Sequence, residues 1–317
     1  MPNPPKRHHF VPAFYLQGFN EGGGRDDTFH VLDLKAGKLR PATPNSVGFE
    51  NHFYRVEGDG LDPAGAESLL ADFEAEMAPE IKRIVEARGF PDDQAYNAVV
   101  NFVGLLAARG PAMRRALTDP MERMAKHILQ LRVSSEEVYN ATNDRMRADG
   151  IDLPDIPCGE EKRSVENDEI IVRLHPNHQV AYQLEMASLV VDILLTRPWV
   201  LLVADGQDTF ICSDHPVALT WTVPMPGPFP PGFGLPGTTV TVPLTSRLAL
   251  LSQFEREEAV VMVERVTIAD TNRRTAMFAD RFLCSAQPDF IWLKDDGAIG
   301  NAADLLGRCA QPRLDLA

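Results

Sequence analysis

Two short strings carry most of the side chains in this sequence that could do chemistry. His8 and His9 are adjacent, in a stretch where Pro5 and Pro12 restrict the backbone, and Ser213-Asp214-His215-Pro216 follows an apolar run. An imidazole on a stiff backbone suits metal ligation or general-base work. A carboxylate and an imidazole at a strand end, beside a proline, sit where binding groups commonly lie. Glu67, Asp72 and Glu74 share one amphipathic segment. Glu67 and Glu74 fall on one helix face about 10 Å from each other, so both cannot hold one ion directly. One of these two carboxylates with His9 and Asp214 would make a mixed nitrogen and oxygen ligand set, suited to zinc, manganese or iron, with positions open to water. A metal-activated water, Arg109 neutralising an anionic substrate, and His215 or the other carboxylate moving protons would hydrolyse a phosphoester or an amide.

Each of these residues also has a plainer reading. A histidine of the pair can face the core and bond the backbone, Asp214 can hold its own bend, and Arg109, beside Gly110-Pro111, can bond the last carbonyls of a helix. In those roles the cluster suits a non-catalytic module that binds a small molecule or a protein partner, with the N-terminal string as a buried tether. Other chemistries lack their signatures. There is no G-x-x-x-x-G-K-[ST] loop, no H-E-x-x-H and no G-x-S-x-G elbow, and Gly22-Gly23-Gly24 follows no strand and opens no helix. Ser213 stands too near His215 in sequence for triad geometry. Cys158, Cys212, Cys284 and Cys309 are far apart without a C-x-x-C pair, so no zinc-cysteine site is indicated, and Cys212 and Cys284 read as buried thiols.

The elements that must position these groups follow from periodicity and punctuation. Residues 1–60 read as coil, a hairpin turning at Ala36-Gly37, and a short strand in HFYRVE. Residues 64–150 read as helices, with Asp92 and Ser134 as N-caps and Gly89 and Gly110 as stops. Residues 151–169 read as an exposed acidic connector without an element of its own. After it come a short strand, IIVRL, a helix over 177–196, and the β-like runs WVLLVA, TFIC, TTVTVPL, RLALLS, EAVVMVERV and RFLCSA, with one more helix over 269–278. The Pro/Gly stretch 224–237 excludes a regular element and reads as a long loop suited to a lid. The fold class is therefore α+β: a small β-rich N-terminal segment, a central helical bundle-like region and a β-rich C-terminal half, residues 170–317, in a single domain over 1–317.

Among 317 residues, 44% hydrophobic and 24% charged, there is enough apolar material for a full core. No apolar run is long enough to cross a membrane and none follows the basic N-terminus as in a signal peptide, so the expected setting is cytoplasmic. A net charge of −14, from 31 basic and 45 acidic side chains, repels nucleic acid and anionic membranes over most of the surface. The readable exception is the segment from Arg109 to Arg132, with Arg114, Arg115, Arg123 and Lys126 between, through which a nucleic-acid partner could be met.

The string KRHHFVPAFYLQGF at residues 6–19 resembles the start of the bacterial domain-of-unknown-function 4238 family. Further matches follow in order: the acidic helix with Glu67 and Glu74 ending near Pro79, AARGP around Arg109, FICSDHPV at 210–217, VPLTSRLALL at 242–251 and NRRTAMFADRFLCS at 272–285. Where that family looks like T-S-D-N-P, this chain has Cys212-Ser213-Asp214-His215-Pro216, departing at the first and fourth positions. The resemblance implies a shared fold and supplies no activity. HHFVP is also similar to the opening of ββα-metal nucleases, but Asn45 and His52 lie too far downstream for that compact unit, which leaves nuclease activity as analogy.

Overall fold

A computed structural model of the chain describes residues 6–223 and 229–309. The N-terminal part contains β1 (Arg7–His9), a short α1 (Ala13–Leu16), β2 (Phe29–Asp33), β3 (Lys38–Ala42) and β4 (Phe49–Asn51). The helical part follows with α2 (Gly65–Ala87), α3 (Asp93–Arg109), α4 (Pro111–Arg132), α5 (Glu136–Ala148), α6 (Cys158–Glu166) and α7 (Pro176–Leu194). The remainder runs β5 (Trp199–Ala204), β6 (Cys212–Ser213), β7 (Ala218–Trp221), β8 (Thr238–Pro243), β9 (Leu248–Ser252), β10 (Ala259–Val263), α8 (Arg265–Phe278), β11 (Phe282–Ser285), β12 (Trp292–Leu293), β13 (Ile299–Gly300) and α9 (Ala302–Cys309). The fold is α+β.

The main sheet has the order β10-β5-β9-β8-β7, parallel between β10 and β5 and antiparallel elsewhere. The place of β5, paired on both sides by β10 and β9, explains why WVLLVA is apolar at every position. Trp199, Leu201 and Val203 enter the core shared with α3 and α7, while the alternate Val200, Leu202 and Ala204 pack with Ile268 and Ala269 of α8 on the other face. An antiparallel sheet in the order β3-β2-β11-β6 joins the N-terminal hairpin to two strands from the last third of the chain. Helix α3 is apolar almost all round and is the central rod, capped by Asp92, whose carboxylate accepts from the Ala95 amide at 2.9 Å. It meets α7 at Gly104, where a Cβ would stand 2.3 Å from Val191 Cγ2 and 3.3 Å from Val191 Cα.

Several expectations need correction. HFYRVE (residues 52–57) is turn and coil, because His52 takes the left-handed region at φ 60 and the strand ends at Asn51. The acidic connector contains α6, whose Glu160 and Glu161 lie in the first turn, where the helix dipole favours them, and whose Val165 is buried with Val133 and Tyr139. Composition concealed this packing. IIVRL makes no ladder, Ser135 rather than Ser134 caps α5 through the Val138 amide, and Arg88 in the left-handed region ends α2 just before Gly89.

The Pro/Gly stretch is not a lid over the candidate site. Residues 224–228 lie outside the described residues. In the rest, Trp221 Nε1 donates to the Phe229 carbonyl at 3.2 Å and buried Arg197 donates to that of Phe233, which fastens the loop at the far end of α7. The Arg197 carbonyl accepts from Tyr96 near the start of α3, about 20 Å of helix away from Arg109.

Candidate active site

The functional candidates gather around the C-terminal end of α3. Strand β1 brings in the histidines, and its alternation splits them between opposite faces. His8 is buried and accepts the Tyr54 backbone N–H at Nδ1, 2.9 Å away, which makes this nitrogen the unprotonated one. His9 is partly exposed, with a buried Nδ1 that has no hydrogen-bond partner. Burial lowers its pKa, helped by the charges of Arg109, Arg7 and Arg25 and opposed by the Val11 backbone, so its neutral form dominates at neutral pH. The string is tied down just beyond: Phe10 and Val11 both donate to the Gly48 carbonyl, at 2.8 and 3.1 Å. Gly48 has φ 69, and a Cβ there would stand 3.0 Å from Val11 Cβ, so the position calls for glycine.

Arg109 is 3% exposed, and all three of its nitrogens are engaged. It donates to Glu74 at 2.6 Å, to the Tyr54 hydroxyl at 3.3 Å and to the His9 carbonyl, while that hydroxyl donates back to the Arg109 carbonyl at 3.0 Å. Burial disfavours the guanidinium, but Tyr54 and Glu74 outweigh it and hold its pKa above the ordinary value. Arg109 is therefore a hub that fastens β1 and the Tyr54 segment to α2 and α3, with each of its nitrogens bonded to a partner inside the protein.

Glu67, two turns before Glu74 on α2, has different surroundings. Its Oε2 is buried without a hydrogen-bond partner, 3.8 Å from His8 Nδ1. Burial raises its pKa to about 7, against the pull of Arg109 and with the repulsion of Glu74. With its side chain 21% exposed, this is a carboxyl that exchanges a proton near neutrality and can still be reached. Beside the cluster Arg114 stacks 3.4 Å from the centre of the Phe53 ring and donates to Gln183 at 2.7 Å; its NH2 nitrogen is buried without a partner. Burial lowers its pKa to about 10, which still leaves it charged at neutral pH.

Asp214 comes close through its backbone, its carbonyl lying 3.7 Å from where a Cβ on Gly110 would be, but its carboxylate turns the other way. It accepts the amides of Asp280, Arg281 and Phe282 at 2.9, 2.8 and 3.2 Å, with burial raising its pKa to about 6 against those bonds. His215 packs edge-on against Phe278, and burial lowers its pKa. The four expected metal ligands therefore do not converge: Asp214 holds a turn, Glu74 holds Arg109, and His9 and Glu67 remain. Among the described residues no three His, Cys, Asp or Glu side chains come together in a way that could hold an ion.

The matches anticipated from the N-terminal string extend over the same elements. The family described as protein of unknown function (DUF4238) matches residues 7–289. The chain belongs to that family. No curated protein and no solved structure matches it. The matched span takes in the whole DUF4238 cluster, from β1 through the amides that hold Asp214. Three members of this cluster, Tyr54, Arg114 and Gln183, are not singled out as site residues by the sequence, and His8 enters there only as one of a pair from which His9 is the candidate. Tyr54 and Gln183 sit in apolar-patterned stretches where a core residue is the default, and His8 is separated from His9 only by strand alternation, a signal that was there to read. The basic segment is also dispersed in the DUF4238 fold. Arg109 and Arg114 face inward, and Arg115, Lys126 and Arg132 pair with Asp280, Asp168 and Glu161. No helix among the described residues is long and apolar enough to cross a membrane.

Proposed function

We propose that the protein is an acid–base hydrolase in which Glu67 moves the proton. One observation carries the reading: a reachable carboxyl with its pKa raised to about 7, an unpartnered Oε2 and a neutral imidazole 3.8 Å away, on a scaffold fixed by Arg109. A general base works best with a pKa near the working pH. Of the two substrate classes the sequence suggested, an amide asks mainly for the proton transfer that Glu67 offers, whereas phosphoryl transfer calls for several cations on the phosphate, and here Arg109 is buried against Glu74, Tyr54 and the His9 carbonyl, which leaves Arg114 with its unpartnered nitrogen. A zinc or manganese ion fits poorly, since Asp214 and Glu74 already serve other partners.

The test is a screen of the purified protein against small amides and peptides, beside Glu67→Gln. The expected result is turnover that rises with pH through an apparent pKa near 7 and is lost in the variant. Turnover unchanged in Glu67→Gln would overturn the assignment. Elemental analysis in the same experiment covers the metal-assisted form, for which stoichiometric zinc or manganese lost in His9→Ala would be the evidence. The second reading, a non-catalytic module for a small molecule or protein partner, draws on the Arg109 hub, which ties the N-terminal string down as a tether would. It predicts no turnover and a large loss of thermal stability when the hub is cut.

A further inference from the structure

Arg114 is a guanidinium held firmly in place with one edge unused. Its Cζ lies 3.4 Å from the centre of the Phe53 ring, and its Nε donates to Gln183 Oε1 at 2.7 Å. Gln183 is fixed in turn, because its side-chain amide donates to the Ala108 and Gly110 carbonyls at 3.1 and 3.4 Å where α3 ends. Stacking and one hydrogen bond thus set the position of the guanidinium while using Nε alone. Among the described residues its two terminal nitrogens donate to nothing, and one of them is buried. A buried charged donor without an acceptor is costly to a fold. The side chain is still partly exposed, so an acceptor can reach it from outside.

The surroundings favour an anion there. Arg114 and Arg115 stand near the start of α4, where the helix dipole favours acidic residues, yet the first turn has none. The charge of exposed Glu50 reaches Arg114, but among the described residues the two make no ion pair. The terminal edge of a guanidinium matches two oxygens of a carboxylate or a phosphate. Charge count decides between them. Arg109 is paired with Glu74 and Arg115 with Asp280, so a single guanidinium edge is left, which suits a monoanion, whereas a phosphate calls for more than one cation. Tyr54 links this edge to Glu67: Arg114 Cζ is 5.8 Å from the centre of its ring, and His8, whose Nδ1 lies 3.8 Å from Glu67 Oε2, stacks on the same ring at 6.1 Å. We infer that Arg114 is the carboxylate anchor of the Glu67 site, whose substrates are amides that carry a free carboxylate, such as N-acyl amino acids. The inference rests on the hydrolase reading for what becomes of the bound molecule, while carboxylate binding itself is independent of it.

The test is calorimetric titration of the full chain with N-acetylglycine, with its uncharged counterpart N-acetylglycinamide and with inorganic phosphate, in the wild type, Arg114→Lys and Glu67→Gln. The acid is expected to bind the wild type and Glu67→Gln, and the uncharged amide to bind about 10- to 100-fold more weakly, as befits the loss of charge-assisted hydrogen bonds. Arg114→Lys keeps the charge without the fork and is expected to weaken binding of the acid by a similar factor. A second measurement needs no variant: labelling of Arg114 by phenylglyoxal, read by peptide mass mapping, should fall in the presence of N-acetylglycine and not of N-acetylglycinamide. Binding of the acid without turnover of any amide would uphold the anchor and sink the hydrolase reading. Absent or equal binding of acid and amide, tighter binding of phosphate, or labelling of Arg114 that the acid leaves unchanged would overturn the anchor.

Discussion

Replacing Glu67 with glutamine should make the protein more stable at alkaline pH, an unusual outcome for a change at a buried polar site. In the folded chain burial raises the Glu67 pKa from its ordinary 4.5 to about 7. Between those two values the unfolded chain has released the proton and the folded chain still holds it, so the folded state binds more protons and stability falls as pH rises. The fall is complete above the folded pKa. A shift of this size is worth roughly 3 kcal/mol if undiminished. The carboxyl is only partly buried, however, and solvent screening reduces the figure to about 1–2 kcal/mol. Glutamine keeps the shape and cannot ionise, so the variant should match the wild type below about pH 4.5 and exceed it by about 1–2 kcal/mol at about pH 8. For a chain of this length that is roughly 2–3 °C in melting temperature. Paired thermal melts of the two proteins from acid to alkaline pH isolate the effect, because every other titrating group is common to both. A constant difference across that range, or a variant less stable at alkaline pH, would show that Glu67 ionises normally in the fold and would remove the basis for its proposed role in proton transfer.

Three further outcomes follow from the same geometry. Arg109→Met strands the Glu74 carboxylate and the His9 carbonyl and should cost about 3–5 kcal/mol in denaturant unfolding; adding Glu74→Gln should recover part of that loss, since the two residues are one interaction. Asp214→Asn turns one acceptor into a donor facing the amides of residues 280–282, and a loss of about 1–3 kcal/mol is expected by the same assay. Gly104→Ala puts a methyl group against the Val191 backbone and should lower stability by about 1–3 kcal/mol through separation of α3 and α7, read as a lower melting temperature.

Much of the architecture was legible because period and length decide it. WVLLVA is too short for a helix and too apolar for a surface strand, so it had to be covered on both faces, as β5 is. The Ala36-Gly37 turn, the Asp92 cap and the long helices α2, α3, α4 and α7 follow from local chemistry alone. What local pattern did not disclose depended on distant partners. Helix α6 is polar and acidic, and the contact that buries Val165 comes from Val133 and Tyr139, elsewhere in the chain. IIVRL has the composition of a strand, but no neighbouring strand pairs with it. The candidate site shows the same limit: residue types pointed to carboxylates and histidines, but which acceptors still had capacity depended on partners brought in by the fold.

That distinction relocates the chemistry. Asp214 has the sequence context of a functional carboxylate, at the end of an apolar run and beside a proline, yet three backbone amides converge on it, and a carboxylate so engaged holds its turn and moves no proton without breaking those bonds. Glu74 is engaged likewise by Arg109. Glu67 lies on the same helix face and looks no different in sequence. It differs because Arg109 has one carboxylate partner and Glu74, two turns further along, takes it. Burial is the main cause of the raised Glu67 pKa, and the Glu74 carboxylate held by Arg109 adds its repulsion to it, which leads to a check within the cluster. In Glu74→Gln the guanidinium loses its ion partner, its pull on Glu67 is no longer shared, and the repulsion from residue 74 disappears. The Glu67 pKa should then fall toward its ordinary value, and the pH-dependent stability difference between the Glu74→Gln protein and its Glu67→Gln double variant should shrink.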